Sequence, residues 1–373
     1  MGRDLSRRLA GLTCLVVWAA AARAAEPPAV VKAEPLPAWD AKFRRTDGWI
    51  GGDGAYSVPI SPTRNLWLFS DTWIGKVRNG KRTDLAMVNN TVGVQDGRGS
   101  DAKLTFVVRR DADGKPQSLI TPADGRGWFW PFAATHHRGK LYLFLAQMEK
   151  ADGPAAFGFK AVAQWLGVVA NPADDPTAWK VTQHKLPWVE FAADRKLNFG
   201  SAVLTAGDHL YVYGYEETPR KGFFPARRMV LARVPVGQVD DLKAWRFLTA
   251  GGWKAEPKDL KPLADDLAVE YSVTHLPGLK RYAAVYTELG MSDRIMARFA
   301  ESPEGPWSKP VLLHRCPEMG RDKKVFSYAA KAHPHLADGN ELVISYVVNA
   351  FELARVINDA TLYWPTFVRV TLK

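Results

Sequence analysis

Cysteine is nearly missing from this chain: Cys14 and Cys316 are the only two in 373 residues. Cys14 falls in a leader-like stretch, so the remainder can close no intramolecular disulfide, and stability in an oxidising compartment must come from packing. Long apolar runs are missing too. The one candidate, residues 9–22, follows Arg3, Arg7 and Arg8 and precedes Ala-Arg-Ala-Ala, so residues 1–25 read as an export signal rather than a membrane anchor. Arg7-Arg8 is a faint twin-arginine mark and Thr13-Cys14 a poor lipidation site. No run of Lys or Arg stands out. The formal charge is +11, of which +3 belongs to the leader (four Arg, one Asp), and the +8 left is interleaved with acidic residues. That pattern argues against nucleic acid and for anionic envelope or extracellular polymers. A Gly-x-Ser-x-Gly elbow is lacking around Ser201 and Ser272, and Cys316 precedes Pro317 with no paired His motif, so neither serine nor thiol nucleophiles are supported.

What is present is repetition. Residues 52–72, 129–147, 198–217, 269–288 and 327–349 each read strand, turn, strand, with aromatic and β-branched runs broken at Pro62, Gly139, Gly207, Gly278 and Gly339. Hairpins of this size cannot each bury a core alone and must stack. Their spacing leaves room for four strands each. The outer strands are expected at 90–94 with 104–109, 165–170 with 179–183, 229–234 with 245–249, and 295–300 with 311–314. Acidic turns before Trp179, Trp245 and Trp307 mark the same period. The expected fold is all-β: a five-bladed β-propeller of four-stranded antiparallel blades around a central funnel. Residues 26–46 form an N-terminal segment that closes the ring, a strand near 29–32 completing the last blade beside 366–372, and residues 47–373 form one propeller domain.

The ends of an antiparallel hairpin lie together, so Asp53, entering the first, and Asp71, leaving it, are expected on one face. The corresponding places in the other repeats are Trp130 with Gln147, Asn198 with Glu216 or Glu217, Glu270 with Thr287 or Glu288, and Lys331 with Asn349. Acids, amides and indoles lining one funnel suit a sugar: hydroxyls need polar partners and the apolar sugar face stacks on rings, here Trp73, Trp128, Trp130, Trp188 or Tyr215. Two carboxyl groups suit glycoside hydrolysis, one donating a proton to the leaving oxygen and one acting as nucleophile or water activator, with burial and like charge splitting their proton affinities.

The segments GGDGAYSVP and NLWLFSDTWIG on five hairpin repeats resemble the secreted bacterial five-bladed propellers long catalogued as a domain of unknown function, some of which are endo-acting D-arabinan hydrolases. The sharp motifs lie between Gly51 and Gly75. The resemblance implies that Asp53 and Asp71 are catalytic. Ser70 stands where a Gly often precedes the second acid. More distantly related arabinanases and fructosidases bring a third acid from a later blade, which here would be Glu270, Glu217 or Glu216.

The expectation is therefore an exported, monomeric glycoside hydrolase, secreted or periplasmic, acting on a polysaccharide of arabinan type. Asp53, Asp71 and Glu270 would be catalytic, and Trp73, Trp128, Trp130, Asn198, Glu217, Tyr215, Lys331 and Asn349 would contact substrate. No cofactor is required and no metal residues are assigned, although His333 and His335 alternate on one strand and could approach a structural cation in the channel. The competing readings are a carbohydrate-binding propeller without turnover and a sialidase-like enzyme, the latter disfavoured because the five entry positions hold no arginine. Structurally plainer roles compete at each residue: Asp53 shaping a turn, Asp71 capping a strand, His136 and His137 a solvated turn, Asn89-Asn90-Thr91 a strand start. Lys76, Arg78, Lys81 and Arg82 read as a solvated loop or as a site for anionic glycans. Loops 76–84, 150–160 and 218–228 would set the sugar preference.

Overall fold

The computed structural model describes residues 26–152, 158–222 and 224–373; the expected leader, residues 1–25, lies outside them. Period-two alternation with Gly-containing turns gives sheets throughout. At the second hairpin, Arg138 and Gly139 both take positive φ (48° and 76°), the twist that a two-residue β-turn needs. Among the described residues, five sheets have four strands or more. The first holds Tyr56–Pro59, Arg64–Phe69, Thr91–Asp96 and Lys103–Val107; the second Trp128–His137, Lys140–Lys150, Phe159–Val169 and Val181–Lys185. The third runs Glu190–Phe191, Lys196–Ala206, His209–Thr218, Ala226–Pro235, Arg246–Thr249 and Gly252–Lys254, six strands where four are expected. The fourth holds Tyr271–Leu276, Arg281–Thr287, Arg294–Ala300 and Val311–Arg315.

The fifth sheet orders Val30–Pro35, Pro365–Leu372, Glu341–Ala350 and Val325–Ala332. The N-terminal strand thus forms the outer edge of the last sheet, Val30 opposite Leu372 and Pro35 opposite Val368. The helix that follows, Pro37–Phe43, ties this sheet to the first. Phe43 is fully buried between Trp67, 4.9 Å away edge-on, and Phe367, 5.0 Å away, while the Asp40 carboxylate accepts the Phe367 amide at 2.7 Å.

The innermost strands of consecutive sheets pack side by side. The circuit closes between fifth and first sheets, where Ser57 meets His333 at 2.6 Å and Tyr328 meets Asp53. The result is a propeller-like ring around a central passage. Three inner strands carry a bulge at the same level, at Pro131/Ala134, Phe199/Ala202 and Tyr328/Lys331. A bulge re-aims the side chains beside it, and here all three sit where the strands line the passage.

Two further expectations fail at the fold level. Residues 76–84 are not an open loop: Thr72–Arg78 and Lys81–Val88 form a hairpin, joined by Asp47–Gly52 into a separate three-stranded sheet. Arg82 is not solvated either. It is 2% exposed, and its guanidinium donates to the carbonyls of Ile50 (3.0 Å), Val356 (2.6 Å) and Leu362 (2.5 Å), with the Trp364 ring 5.1 Å away. Five fixed donors let one arginine saturate carbonyls from two segments that have no strand partners there. Burial pulls it down to about 10.

Candidate active site

Asp53 and Asp71 meet because the chain pairs with itself at the open end of the first hairpin. The Asp53 amide donates to the Asp71 carbonyl at 3.2 Å, and the Ser70 amide to the Asp53 carbonyl at 3.1 Å. Gly54, at φ +81°, makes the turn that follows, and a Cβ there would stand 3.2 Å from the Ser70 amide nitrogen. Both acids line a cavity of about 380 Å³ at one end of the passage, and Glu270, at the entry of the fourth sheet, lines it too.

The carboxyl groups are held differently. Asp71 Oδ1 accepts from Asn89 Nδ2 at 2.9 Å and from the Trp130 indole at 2.8 Å, which leaves Oδ2 for the cavity. Asp53 Oδ2 accepts from the Tyr328 hydroxyl at 2.7 Å, and its Oδ1 is buried with no partner. Burial, then the Asp71 and Glu270 charges, push the Asp53 carboxyl up to about 8. Burial raises Asp71 as well, but its two donors oppose the shift. Of the two, Asp53 is the one pushed towards its protonated form, and Asp71 the one whose donors favour the carboxylate.

Tyr363 and Tyr328 complete the floor, and neither was visible in the sequence. Tyr363 reaches over from the segment before the last strand, its hydroxyl donating to the Asp71 carbonyl at 3.2 Å. It takes φ +65°, and Ala329, beside Tyr328, takes +59°. Such conformations cost on the order of 1–3 kcal/mol each and persist where surrounding contacts impose them. For Tyr363 those contacts are Arg82, which clamps the preceding carbonyls, and Gly51, where a Cβ would sit 2.7 Å from the Tyr363 carbonyl oxygen. The wall is aromatic and aliphatic: Trp130 packs edge-on to Phe159 at 4.6 Å, with Phe132, Phe326 and Met291 around them. Asn349 also lines the cavity, and Arg227 stands at its side.

Several expected contact residues lie elsewhere. Trp73 is 6% exposed and packs into the core, because its position in the three-stranded sheet turns it inward. Trp128 lies behind Trp130 rather than on the cavity, and Trp188 packs on Trp245 at an outer groove. Tyr215 and Asn198 are buried, Asn198 Oδ1 capping the Phe199 amide at 2.9 Å. Glu217 is bound by Lys196 (2.7 Å) and Arg227 (2.6 Å); burial would raise it, but these cations hold it below the usual carboxylate range. Lys331 is one bulge residue too far along its strand to enter the cavity.

His333 has ordinary partners, whereas neither ring nitrogen of His335 has a hydrogen-bond partner among the described residues. His333 Nδ1 meets Ser57 Oγ and Nε2 meets Ser345 Oγ at 2.8 Å, and burial keeps the ring well below its usual proton affinity. Both nitrogens are thus occupied by hydroxyls. Among the described residues no group of three or more His, Cys, Asp or Glu is arranged to hold a metal ion. Cys316 is 1% exposed and burial pushes its thiol up to about 12, which makes it inert packing.

Fold and cavity together define an all-β ring protein with a carboxyl-floored pocket at one end of its passage. The chain belongs to the family described as a domain of unknown function, DUF5005, matched over residues 37–372. No curated protein matches its sequence. Its fold is that of a crystal structure from Bacteroides ovatus described as a candidate hydrolase, with a TM-score of 0.71 and 19% identity over 91% of this chain and 90% of that one. Weaker similarities reach a GH43_1 enzyme from Xanthomonas citri (TM-score 0.45, 14% identity, 91% and 92% covered) and a GH32 β-fructofuranosidase from Bombyx mori (0.48, 12%, 88% and 63%).

Proposed function

We propose that this chain is an exported glycoside hydrolase built on a five-bladed β-propeller, with Asp53 as proton donor and Asp71 as nucleophile or water-activating base. The observation that carries the reading is the unequal hold on two neighbouring carboxyl groups lining one cavity: Asp71 Oδ1 takes two side-chain donors, whereas Asp53, held by Tyr328, is pushed towards its protonated form. Tyr328 orients the Asp53 carboxyl by donating to Oδ2, and that carboxyl carries the acid proton. It passes to the glycosidic oxygen as the C–O bond breaks. Asp71 Oδ2 then meets the electron-poor anomeric carbon directly or through a water, and the Glu270 charge adds to the field that stabilises it. Trp130 and Phe159 offer faces for the sugar ring, and Asn349 a hydrogen-bonding amide.

Screening against D-arabinan, L-arabinan, fructan and pectic fragments, with product analysis, identifies the polymer, for which arabinan is our first candidate. Asp53→Asn and Asp71→Asn should each lower cleavage by on the order of 10³-fold or more. Cleavage within a few-fold of the parent enzyme would refute the assignment. A pocket that only binds glycans would instead keep its affinity in both variants and release no reducing ends. Export is tested by fractionation: the mature protein should begin near residue 26 and be found outside the cytoplasm.

A further inference from the structure

Beneath the acid floor lies one cation that the reaction as described does not use. Lys331 is 1% exposed, and its ammonium donates to the Ala329 carbonyl at 2.9 Å. It stands 3.7 Å from Glu270 Oε2 and 4.3 Å over the Tyr56 ring. It also lines a second cavity, of about 310 Å³, farther down the passage, where Ser57, Thr135, Thr205 and Thr274 supply hydroxyls. Lys331 is therefore part of the partition between an acidic chamber and a neutral, hydroxyl-lined one. Its place there is set by the bulge that directs Tyr328 up to Asp53 and Lys331 across to Glu270.

We infer that Lys331 is a positioning residue of the acid site: its buried ammonium fixes the Glu270 carboxylate and supplies the counter-charge that allows three carboxyl groups to share one cavity. This rests on the hydrolase reading of that cavity. The ionisable groups facing Lys331 are Glu270 and Asp53 above, the Tyr56 ring beside it and His333 two residues on, with Asp71 beyond Asp53. Burial lowers Lys331, but Glu270 and Asp53 oppose that shift, in keeping with an ammonium held among carboxylates. An unpaired buried ammonium would be costly, and so would uncompensated carboxylate charge beside it; each stabilises the other.

Lys331→Met keeps the length of the side chain and removes its charge. Loss of a nearby cation disfavours ionised Asp53, so Asp53 should keep its proton to higher pH, by about one unit. Two readouts are needed. The ¹³C-carboxyl titration of Asp53, assigned by difference from Asp53→Asn, requires no substrate and should move upward in Lys331→Met. On the glycan found by screening, the alkaline limb of kcat/KM should move upward with it, and kcat should fall at least tenfold with KM changed less than about threefold. Lys331→Gln, which retains a donor for the Ala329 carbonyl, replaces the methionine variant if that fails to fold. An unchanged Asp53 titration in a folded, uncharged variant overturns the inference whether or not any glycan is cleaved. A shifted titration in a protein that cleaves no glycan upholds the counter-charge and rejects the hydrolase.

Discussion

The first and third hairpins both carry acids at their open ends and treat them in opposite ways. The Asp53 carboxyl accepts from the Tyr328 hydroxyl, has two like charges nearby, and rises to about 8. Glu217, in the third, receives Lys196 and Arg227 at 2.7 and 2.6 Å and is held below the usual range. Position on a repeated scaffold supplies a carboxyl group; the residues brought up by neighbouring sheets decide whether it becomes an acid or an anchor. In the first hairpin no cation pairs directly with Asp53, and Lys331 lies beneath it, nearer Glu270. In the third, Arg227 uses Glu217 as a foothold and donates onward to the Leu289 carbonyl at 3.3 Å, on the segment that walls the cavity.

The largest expected difference is catalytic. Asp71→Asn should lose on the order of 10³-fold in kcat/KM, whereas Glu217→Gln should stay within about tenfold, since Glu217 does not line the cavity. Comparable losses in the two would erase the distinction. Stability should rank the other way. Glu217→Gln leaves a mostly buried Arg227 without its carboxylate and should lower unfolding free energy by about 3 kcal/mol in urea titrations, while Asp71→Asn, which keeps an acceptor for Asn89 and Trp130, should cost less.

The pH dependence of stability should also split. Asp53 binds its proton more tightly folded than unfolded, so its contribution is complete below about pH 4 and is lost as pH rises through about 8. Glu217 binds its proton less tightly folded, so its contribution is present above its ordinary value of 4.5 and is lost as pH falls below it. Thermal melts should show Asp53→Asn flattening the decline between about pH 5 and 8.5, and Glu217→Gln flattening the loss in acid. Unaltered slopes in both variants would contradict the assignment. The smallest effect should come from Tyr328→Phe: losing a donor that favours ionised Asp53 should shift the alkaline limb of activity upward by a few tenths of a unit and leave the fold intact.

Local pattern revealed some of this and not the rest. The hairpins are legible because alternation and Gly-bearing turns are short-range signals, and the closeness of Asp53 to Asp71 follows from the length of one hairpin alone. Asn89 was read only as a strand start, although its amide holds Asp71 from 18 positions away in sequence. Tyr328 and Tyr363 lie 275 and 292 positions from their partners, and only closure of the ring brings them in. Lys331 was placed in the funnel because a plain strand would put it there; the bulge after Tyr328 adds a residue and turns it underneath. Arg82 looked solvated because a charged run carries no mark of the backbone carbonyls it will meet.

The account depends on Asp53 being a neutral acid beside an ionised Asp71. The infrared difference spectrum of the native protein minus Asp53→Asn, recorded from pH 6 to 10, reports this directly. A protonated-carboxyl C=O band assigned to Asp53 should be present at pH 6 and disappear near pH 8. Its absence at pH 6, with Asp53 already a carboxylate, would contradict the account.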